Sequence, residues 1–185
     1  IIISYKYVIL IFKLKNKSIR LLSNFQIYSA FFLILFPLII WEHNFRYYGD
    51  EPYYLLITHS IISDFDVDLK NNYNNNDYRH FYEYHLRKQP SYEKNNKIFS
   101  SHFIGLPLLL SPFYFFLKKE GIILFFSIVS SMFIYLFYYL MNLYFNDKNK
   151  ILVITLLLLF TAPYLEIYSS VYPEIPAGCL ILLLF

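Results

Sequence analysis

Residues 21 to 41 read LLSNFQIYSAFFLILFPLIIW, an apolar run that contains no charged residue. About 20 such residues are enough to cross the hydrocarbon core of a bilayer as a helix. A basic cluster between Lys13 and Arg20 precedes the run, and clusters of this kind tend to remain in the cytoplasm. Trp41 is typical of an anchor at the opposite interface. We therefore predict a first complete span that leads out of the cytoplasm.

The composition of the whole chain agrees with a membrane protein. Of 185 residues, 57% are hydrophobic, 22% are aromatic and only 16% are charged, which is too apolar for a soluble globular domain. The formal net charge is +3, and the basic residues occur in short clusters, so we predict topology signals and no nucleic-acid partner. The single cysteine, Cys179, excludes an internal disulfide and is expected to be a small buried side chain.

The polar residues 42–102 separate the first span from the other apolar segments. Their interleaved tyrosines predict an ordered loop outside the cytoplasm, and Lys118-Lys119 predicts a cytoplasmic end. The chain starts and stops within apolar runs, so we expect a fragment of a longer protein. The predicted fold class is all-α: a polytopic helical membrane protein with a large ordered extracytoplasmic loop after the first complete span. Its further spans are expected at about 103–117, 122–145, 151–162 and 177–185, the last one truncated.

The loop begins with the stretch RYYGDEPYYL, in which two carboxylates stand among tyrosines. Proline is favoured at the first position of a helix, so we expect Pro52 to open a helix that runs to about Ile62. Asp50 or Glu51 would cap it, and this apolar helix would lie in the membrane interface or against other helices. The alternative is that Asp50 is only an N-cap and Glu51 a solvated acid of the first turn.

The alternating aspartates of DFDVD, at positions 64, 66 and 68, are the candidate metal ligands. Hard oxygen ligands of this kind can chelate a divalent cation, which is the one candidate cofactor. Asp64, Asp66 and Asp68 can equally form one solvated face of an extended segment, and we favour that interpretation. The histidines show no metal-ligand spacing and are expected to be surface or packing residues: His43, His59, His80, His85 and His102.

The order of these features resembles the membrane-embedded C-type glycosyltransferases. The closer likeness is to the branch that contains protein O-mannosyltransferases and aminoarabinose transferases. Asp50-Glu51 matches the acidic pair of the family, and SHFIGLP at 101–107 resembles its His-x-x-Pro-Pro region with one proline replaced. VYPEIP at 171–176 resembles a Tyr-Pro-Glu segment of bacterial members. The likeness extends from about Leu21 onward, and it rests on the order and spacing of the motifs.

The resemblance implies transfer of a sugar from a polyprenyl-phosphate donor to a lipid, glycan or protein acceptor. It also implies contact with membrane lipid in the inner (plasma) membrane of a bacterium. Such a transfer needs a base for the acceptor hydroxyl and positive charge or a metal ion for the departing phosphate. Asp50 would be the base or orient the acceptor, with Glu51 as its catalytic neighbour. The candidate substrate-binding residues, of which the basic ones can equally be solvated loop charges, are His102, Arg79, Arg87 and Lys88.

The position of Glu174 conflicts with a simple count of spans. Counting outward from 21–41 places Glu174 in the cytoplasm, away from Asp50. Either one apolar segment does not cross, or Glu174 is not part of the site, and we keep it outside the catalytic set.

Two rival functions remain open, namely a polytopic transporter or channel subunit and an inactive truncated membrane protein. Transporters tend to carry ionisable residues at mid-membrane. The segments 21–41 and 122–145 contain none, which favours chemistry at the interface.

Overall fold

The chain is mostly helical, as the all-α prediction requires. The computed structural model describes residues 24–41, 47–89, 92–161 and 164–184, so the basic cluster before the first predicted span lies outside the described residues. In chain order the elements are α1 (Asn24–Trp41), α2 (Glu51–Ser63), α3 (Lys70–Asn75), a 3₁₀ helix (Asp77–His80), β1 (Tyr92–Lys94), β2 (Lys97–Phe99), α4 (Gly105–Tyr144), α5 (Lys148–Phe160), α6 (Tyr164–Ile167) and α7 (Glu174–Leu182).

Two of the described helices, α1 and α4, are long and apolar enough to cross a membrane. Both expose large apolar side chains: Phe25 and Leu33 of α1 are 68% and 71% exposed, and Phe116 of α4 is 77% exposed. Soluble monomers rarely show extended apolar surface of this kind. These observations agree with the predicted association with a membrane.

Helix α4 reverses direction near its middle. Lys118 has φ 51° and ψ −124°, which is outside the helical region. A Cβ atom on Gly121 would overlap the carbonyl oxygen of Phe113, although these two residues would be about 12 Å apart in a straight helix. Helix α4 therefore consists of two arms, 105–117 and 119–144, that pack against each other. The break falls where the basic pair interrupts the apolar sequence.

The first arm of α4 runs beside α2. At one end the ring of Tyr54 lies 4.7 Å from the ring of His102, and further along the ring of His59 lies 6.2 Å from that of Tyr114. The contacts advance in the same direction along both segments. At 1.5 Å per residue the arm is about 20 Å long, which is shorter than the hydrocarbon core of about 30 Å.

The position of Lys118 and Lys119 differs from the prediction. We expected this pair at a cytoplasmic end, on the opposite side of the molecule from the polar loop. Instead, both residues line the same cavity as Arg79 and His80 of that loop. The physical reason is that α2, which is apolar on most faces, requires a partner for burial, and the arm 105–117 supplies it.

Helix α2 joins two hydrophobic cores. It begins at Glu51 with Pro52 in its first turn and ends at Ser63, so the helix predicted from Pro52 to about Ile62 is confirmed. Leu55 packs into the main core with residues of α1, α4, α5 and α7. Leu56 belongs to a smaller core beneath the loop, together with Ile57, Leu69, Tyr78 and Leu86. The polar loop is thus ordered around its own apolar cluster.

A short antiparallel hairpin, β1 and β2, was not predicted from the sequence. Its turn residues, Asn95 and Asn96, both have positive φ, a conformation that asparagine tolerates and that two-residue hairpins favour. The hairpin is attached to the rest of the loop because the N–H of Ile98 donates to Asp68 Oδ1 and its carbonyl accepts from Leu69 N.

Candidate functional site

The acidic turn is built around Gly49. Its φ of +54° is a conformation that glycine adopts readily and other L residues rarely adopt. The space where a Cβ atom would lie is taken by the hydroxyl of Tyr172, 2.5 Å from that position. The same hydroxyl accepts a hydrogen bond from Asp50 N–H at 3.2 Å and donates to the carbonyl of Tyr48 at 3.4 Å. Tyr172 therefore holds the turn from a segment more than 120 residues away in sequence.

Glu51 is buried, with 5% of its surface exposed. Its two carboxylate oxygens accept hydrogen bonds of 2.6 Å from the backbone N–H groups of Tyr48 and Val171. Burial raises the pKa of the Glu51 carboxyl, and the two hydrogen bonds offset part of this rise. Glu51 is thus not the solvated first-turn acid that the sequence left open, because it connects the turn to the segment before α7.

Asp50 has different surroundings. It occupies the N-cap position of α2, but its carboxylate makes no capping hydrogen bond. Its Oδ1 instead accepts a hydrogen bond from Gln89 Nε2 at 2.9 Å and lies 3.7 Å from His102 Nε2. The side chain is 49% exposed. Asp50 is therefore a solvent-accessible carboxylate with two fixed neighbours, and its side chain does not act as a cap.

His102 is the predicted substrate-binding residue that the fold brings to Asp50. Its side chain is 14% exposed, and its ring lies 4.7 Å from that of Tyr54 and 5.9 Å from that of Tyr53. Next to it, Ser101 Oγ donates to Gln89 Oε1 at 3.1 Å, so the residue that bonds Asp50 is itself oriented. Three separate segments of the loop meet at this carboxylate.

Tyrosines of α2 and of the segment before α7 form the wall beside Asp50. The rings of Tyr54 and Tyr172 lie 6.4 Å apart, edge to face. Burial raises the pKa of each phenol, and the nearby carboxylates Asp50 and Glu174 raise it further. Glu174 is therefore within electrostatic reach of the same tyrosines as Asp50. The span count had placed Glu174 away from Asp50, whereas the structure brings the two carboxylates to the same tyrosines.

The three basic candidates are dispersed. Arg79 lines a cavity of about 770 Å³, together with Lys118 and Lys119, which the sequence did not indicate as candidates. Arg87 is exposed, and its contact with α2 is through its backbone carbonyl, which accepts from the hydroxyl of Tyr53 at 2.8 Å. Lys88 is exposed as well, with its Nζ 5.8 Å from the centre of the Tyr73 ring. Only Arg79 is grouped with other cations.

The three aspartates of DFDVD do not converge on a common point. Asp64 Oδ2 accepts hydrogen bonds from the side-chain amides of Asn71 and Asn72. Asp66 Oδ1 accepts from Ser60 Oγ and from the N–H of Asp68. Asp68 Oδ1 accepts from the N–H groups of Lys70 and Ile98. Each carboxylate is used to stabilise the loop. The segment is not the extended solvated face that we favoured from the sequence, because Phe65 has a φ of 59° and is 89% exposed, although the three aspartates are not grouped as metal ligands either.

A different set of metal-ligating side chains does come together. His59, Asp77 and His80 each offer one ligand atom, and these atoms lie within 4.8 Å of one another. Burial lowers the pKa of His59, and the neighbouring Asp77 carboxylate opposes this effect. No pattern in the sequence indicated this set, because His59 stands on a different element from the other two residues and the spacing matches no metal motif.

Comparison with known proteins found no family model that matches the chain, and no curated protein or solved structure gave a significant match.

Proposed function

We propose that the chain is part of an integral-membrane glycosyltransferase that transfers a sugar from a polyprenyl-phosphate donor to an acceptor hydroxyl. The observation that carries this proposal is the difference between the two adjacent carboxylates. Glu51 is buried and bonded to two backbone N–H groups, whereas Asp50 is half exposed and in contact with Gln89 and His102. A single accessible carboxylate with a fixed orientation is suited to general base catalysis.

The proposed reaction transfers one proton and releases one leaving group. The acceptor oxygen forms a bond to the anomeric carbon of the sugar, and the bond from that carbon to the phosphate oxygen breaks. The proton of the acceptor hydroxyl passes to the carboxylate of Asp50, and the polyprenyl phosphate leaves with the electron pair. Glu51 takes no part in proton transfer under this proposal. It positions Asp50 by holding Tyr48 and Val171, on which the acidic turn depends.

Three cations and two carboxylates, Glu83 and Glu120, line the cavity, and its excess of positive charge supports a place for the donor phosphate. Arg79, Lys118 and Lys119 all line it, and preorganised positive charge stabilises a departing phosphate. Tyr47, only three residues before Asp50, is part of the same lining. Arg79 is therefore the basic candidate that we retain for phosphate contact, with Lys118 and Lys119 added. Arg87 and Lys88 are assigned to the solvated surface of the loop.

The membrane location of this proposal is supported by the apolar helices. Helix α1 and the second arm of α4, 119–144, are long enough to span, and both helices expose phenylalanine or leucine side chains that lipid would cover. We propose a multi-pass protein of a bacterial inner (plasma) membrane, with the acidic turn and the cavity at its outer face. A lipid-linked donor would then reach the cavity from the bilayer.

The test is Asp50→Asn in the full-length enzyme. Asparagine keeps the size of the side chain and an oxygen that accepts from Gln89, and no capping hydrogen bond is lost because Asp50 makes none. Loss of a general base lowers the rate by roughly a hundredfold or more. We expect transfer from a polyprenyl-phosphate sugar to fall by this amount, at matched expression and thermal stability.

Asp64→Asn is the matched control, since it makes the same chemical change in the same loop at a carboxylate that accepts from the side chains of Asn71 and Asn72. Its transferase activity should stay close to that of the wild type. An Asp50→Asn protein that folds normally and keeps most of its activity would refute the assignment of Asp50. Equal losses in both variants would also contradict it, because the effect would then not be specific to position 50.

A further inference from the structure

Two ligand-bearing elements face each other at the edge of the cavity. Asp77 is the first and His80 the last residue of the one-turn 3₁₀ helix. Residues three apart in a 3₁₀ helix lie on the same face, so these two side chains lie one above the other. Across from them, His59 projects from α2, and the rings of His59 and His80 lie 5.5 Å apart with 29° between their planes. Two imidazoles and one carboxylate therefore meet between two elements of the loop.

The spacing of the donor atoms is close to what a metal ion requires. One donor atom from each residue lies within 4.8 Å of the others. Tetrahedral zinc, with bonds of about 2.0–2.1 Å, places its donor atoms about 3.4 Å apart. The three donors would therefore need to approach by at most about 1.4 Å. His80 is exposed, so a change of its side-chain torsion angles can move the ring by this distance without disturbing a packed core.

Neighbouring residues already orient two of the three side chains. His59 Nε2 lies 3.2 Å from Ser63 Oγ, which leaves Nδ1 as the ring nitrogen for a ligand. That Nδ1 atom is buried, and no residue in the described part of the chain forms a hydrogen bond with it. Asn72 Nδ2 donates to Asp77 Oδ2 at 3.0 Å and holds the carboxylate. Hydrogen bonds to the far side of metal ligands are a regular feature of metal sites.

We propose that His59, Asp77 and His80 bind a divalent transition-metal ion, zinc before others. Imidazole ligands favour zinc and related metals over calcium and magnesium, which take oxygen ligands. Three protein ligands leave one coordination position open, as in catalytic zinc sites. His59 and His80 both line the cavity of about 770 Å³, so an ion held by them would lie at its wall.

The electrostatic surroundings of the site bear on what else it binds. Arg79, Lys118 and Lys119 line the same cavity, as do the carboxylates Glu83 and Glu120. The cations oppose an isolated metal ion but favour an anionic group at its open position. The proposal stands independently of the glycosyl-transfer proposal, because it rests on other residues and its test measures metal binding alone.

The experiment measures zinc bound to the full chain, purified in detergent with a tag that contains no histidine. The protein is stripped with a chelator, dialysed against buffered zinc, and its metal content is determined by mass spectrometry. We expect one zinc per chain in the wild type and less than a tenth of that in His80→Ala. His80 is exposed, so this variant should remain folded. Cobalt gives a second readout, because the tetrahedral ion with nitrogen ligands absorbs visible light.

His85→Ala is the matched control, since His85 lies in the same loop and outside the ligand set. It should bind zinc as the wild type does. Asp77→Asn should weaken binding by tenfold or more while keeping an oxygen that accepts from Asn72. Wild-type protein that binds no zinc, or a His80→Ala variant that binds as much as the wild type, would overturn the proposal. Loss of zinc from His85→Ala and His80→Ala alike would do so as well.

Discussion

The contact between Gly49 and Tyr172 offers a direct test of the fold around the acidic turn. Replacing Gly49 by alanine places a Cβ atom 2.5 Å from the hydroxyl oxygen of Tyr172 but 3.9 Å from its ring carbon Cζ. The first distance is a clash, and the second is an ordinary van der Waals contact. The effect of alanine at position 49 should therefore depend on whether residue 172 carries a hydroxyl.

The cost of Gly49→Ala has two parts. An L residue in the left-handed region costs about 1–2 kcal/mol. Displacing the Tyr172 hydroxyl also breaks its hydrogen bonds with Asp50 N–H and the Tyr48 carbonyl, at about 0.5–1.5 kcal/mol each. We expect a loss of about 2–5 kcal/mol in the free energy of unfolding. Tyr172→Phe removes the same two hydrogen bonds and should cost about 1–3 kcal/mol.

The double variant measures the coupling free energy between residues 49 and 172. In Gly49→Ala with Tyr172→Phe, the clash is absent, and the two hydrogen bonds of the Tyr172 hydroxyl, which each single variant already loses, are lost only once. The double variant should therefore be about as stable as Gly49→Ala alone. The coupling free energy is then about 1–3 kcal/mol, well above the additivity error for independent sites. Gly105→Ala is the control, because in the described part of the chain no atom beyond its neighbours and its own helix turn lies within 4 Å of its Cβ position.

The measurement is unfolding of the detergent-solubilised full chain by denaturant, followed by intrinsic fluorescence, for the wild type and the four variants. Additive losses in the double variant would show that residues 49 and 172 are not in contact. The segment 171–176 would then not lie beside the acidic turn, and the roles given to Glu51 and Glu174 would fall with it.

Two further predictions concern Glu51 and Lys119. Burial raises the pKa of Glu51 above its ordinary value of 4.5, so the native state binds this proton more tightly than the unfolded state, and the free energy of unfolding should fall as pH rises from about 4.5 through the raised pKa. Glu51→Gln should not show this fall. A difference in the free energy of unfolding between wild type and variant that is constant with pH would contradict the prediction. Single cysteines at Asn75 and Lys119, in a background with Cys179 replaced by serine, should both react with an impermeant thiol reagent on intact cells, whereas labelling at only one of them would place the two residues on opposite sides.

The features that depend on neighbouring residues in the chain could be predicted from the local sequence. Proline at a first helical position fixed the start of α2, and the basic pair at 118–119 marked the reversal within α4. The tyrosines of the polar loop indicated that it is ordered, and Tyr78 is indeed buried in its small core. Cys179 is buried, as expected for a small side chain in an apolar run.

Features that depend on residues distant in the chain could not be predicted from the local sequence. Glu51 is an ordinary first-turn acid by its local sequence, and only the N–H of Val171 makes it a buried connection. The cluster of His59, Asp77 and His80 requires α2 to lie against the 3₁₀ helix, which no local spacing encodes. The hairpin had a usable signal, since two asparagines between short β-prone runs are typical of a two-residue turn.

The packing of the arm 105–117 along α2 predicts how the acidic turn and the later segments are placed relative to a membrane. If that arm crossed, Lys119 would lie opposite the loop, and the segment 171–176 would be separated from Asp50 by the bilayer. Because the arm packs along α2, we expect that it does not cross and that the chain makes one crossing fewer before residue 171, which would keep Tyr172 and Asp50 on the same side. On this prediction, the burial requirement of α2, and not the charge of the basic pair, sets the side on which Glu174 lies. Labelling at position 119 tests this reasoning, since reaction from the outside follows from the burial argument and protection follows from the charge rule.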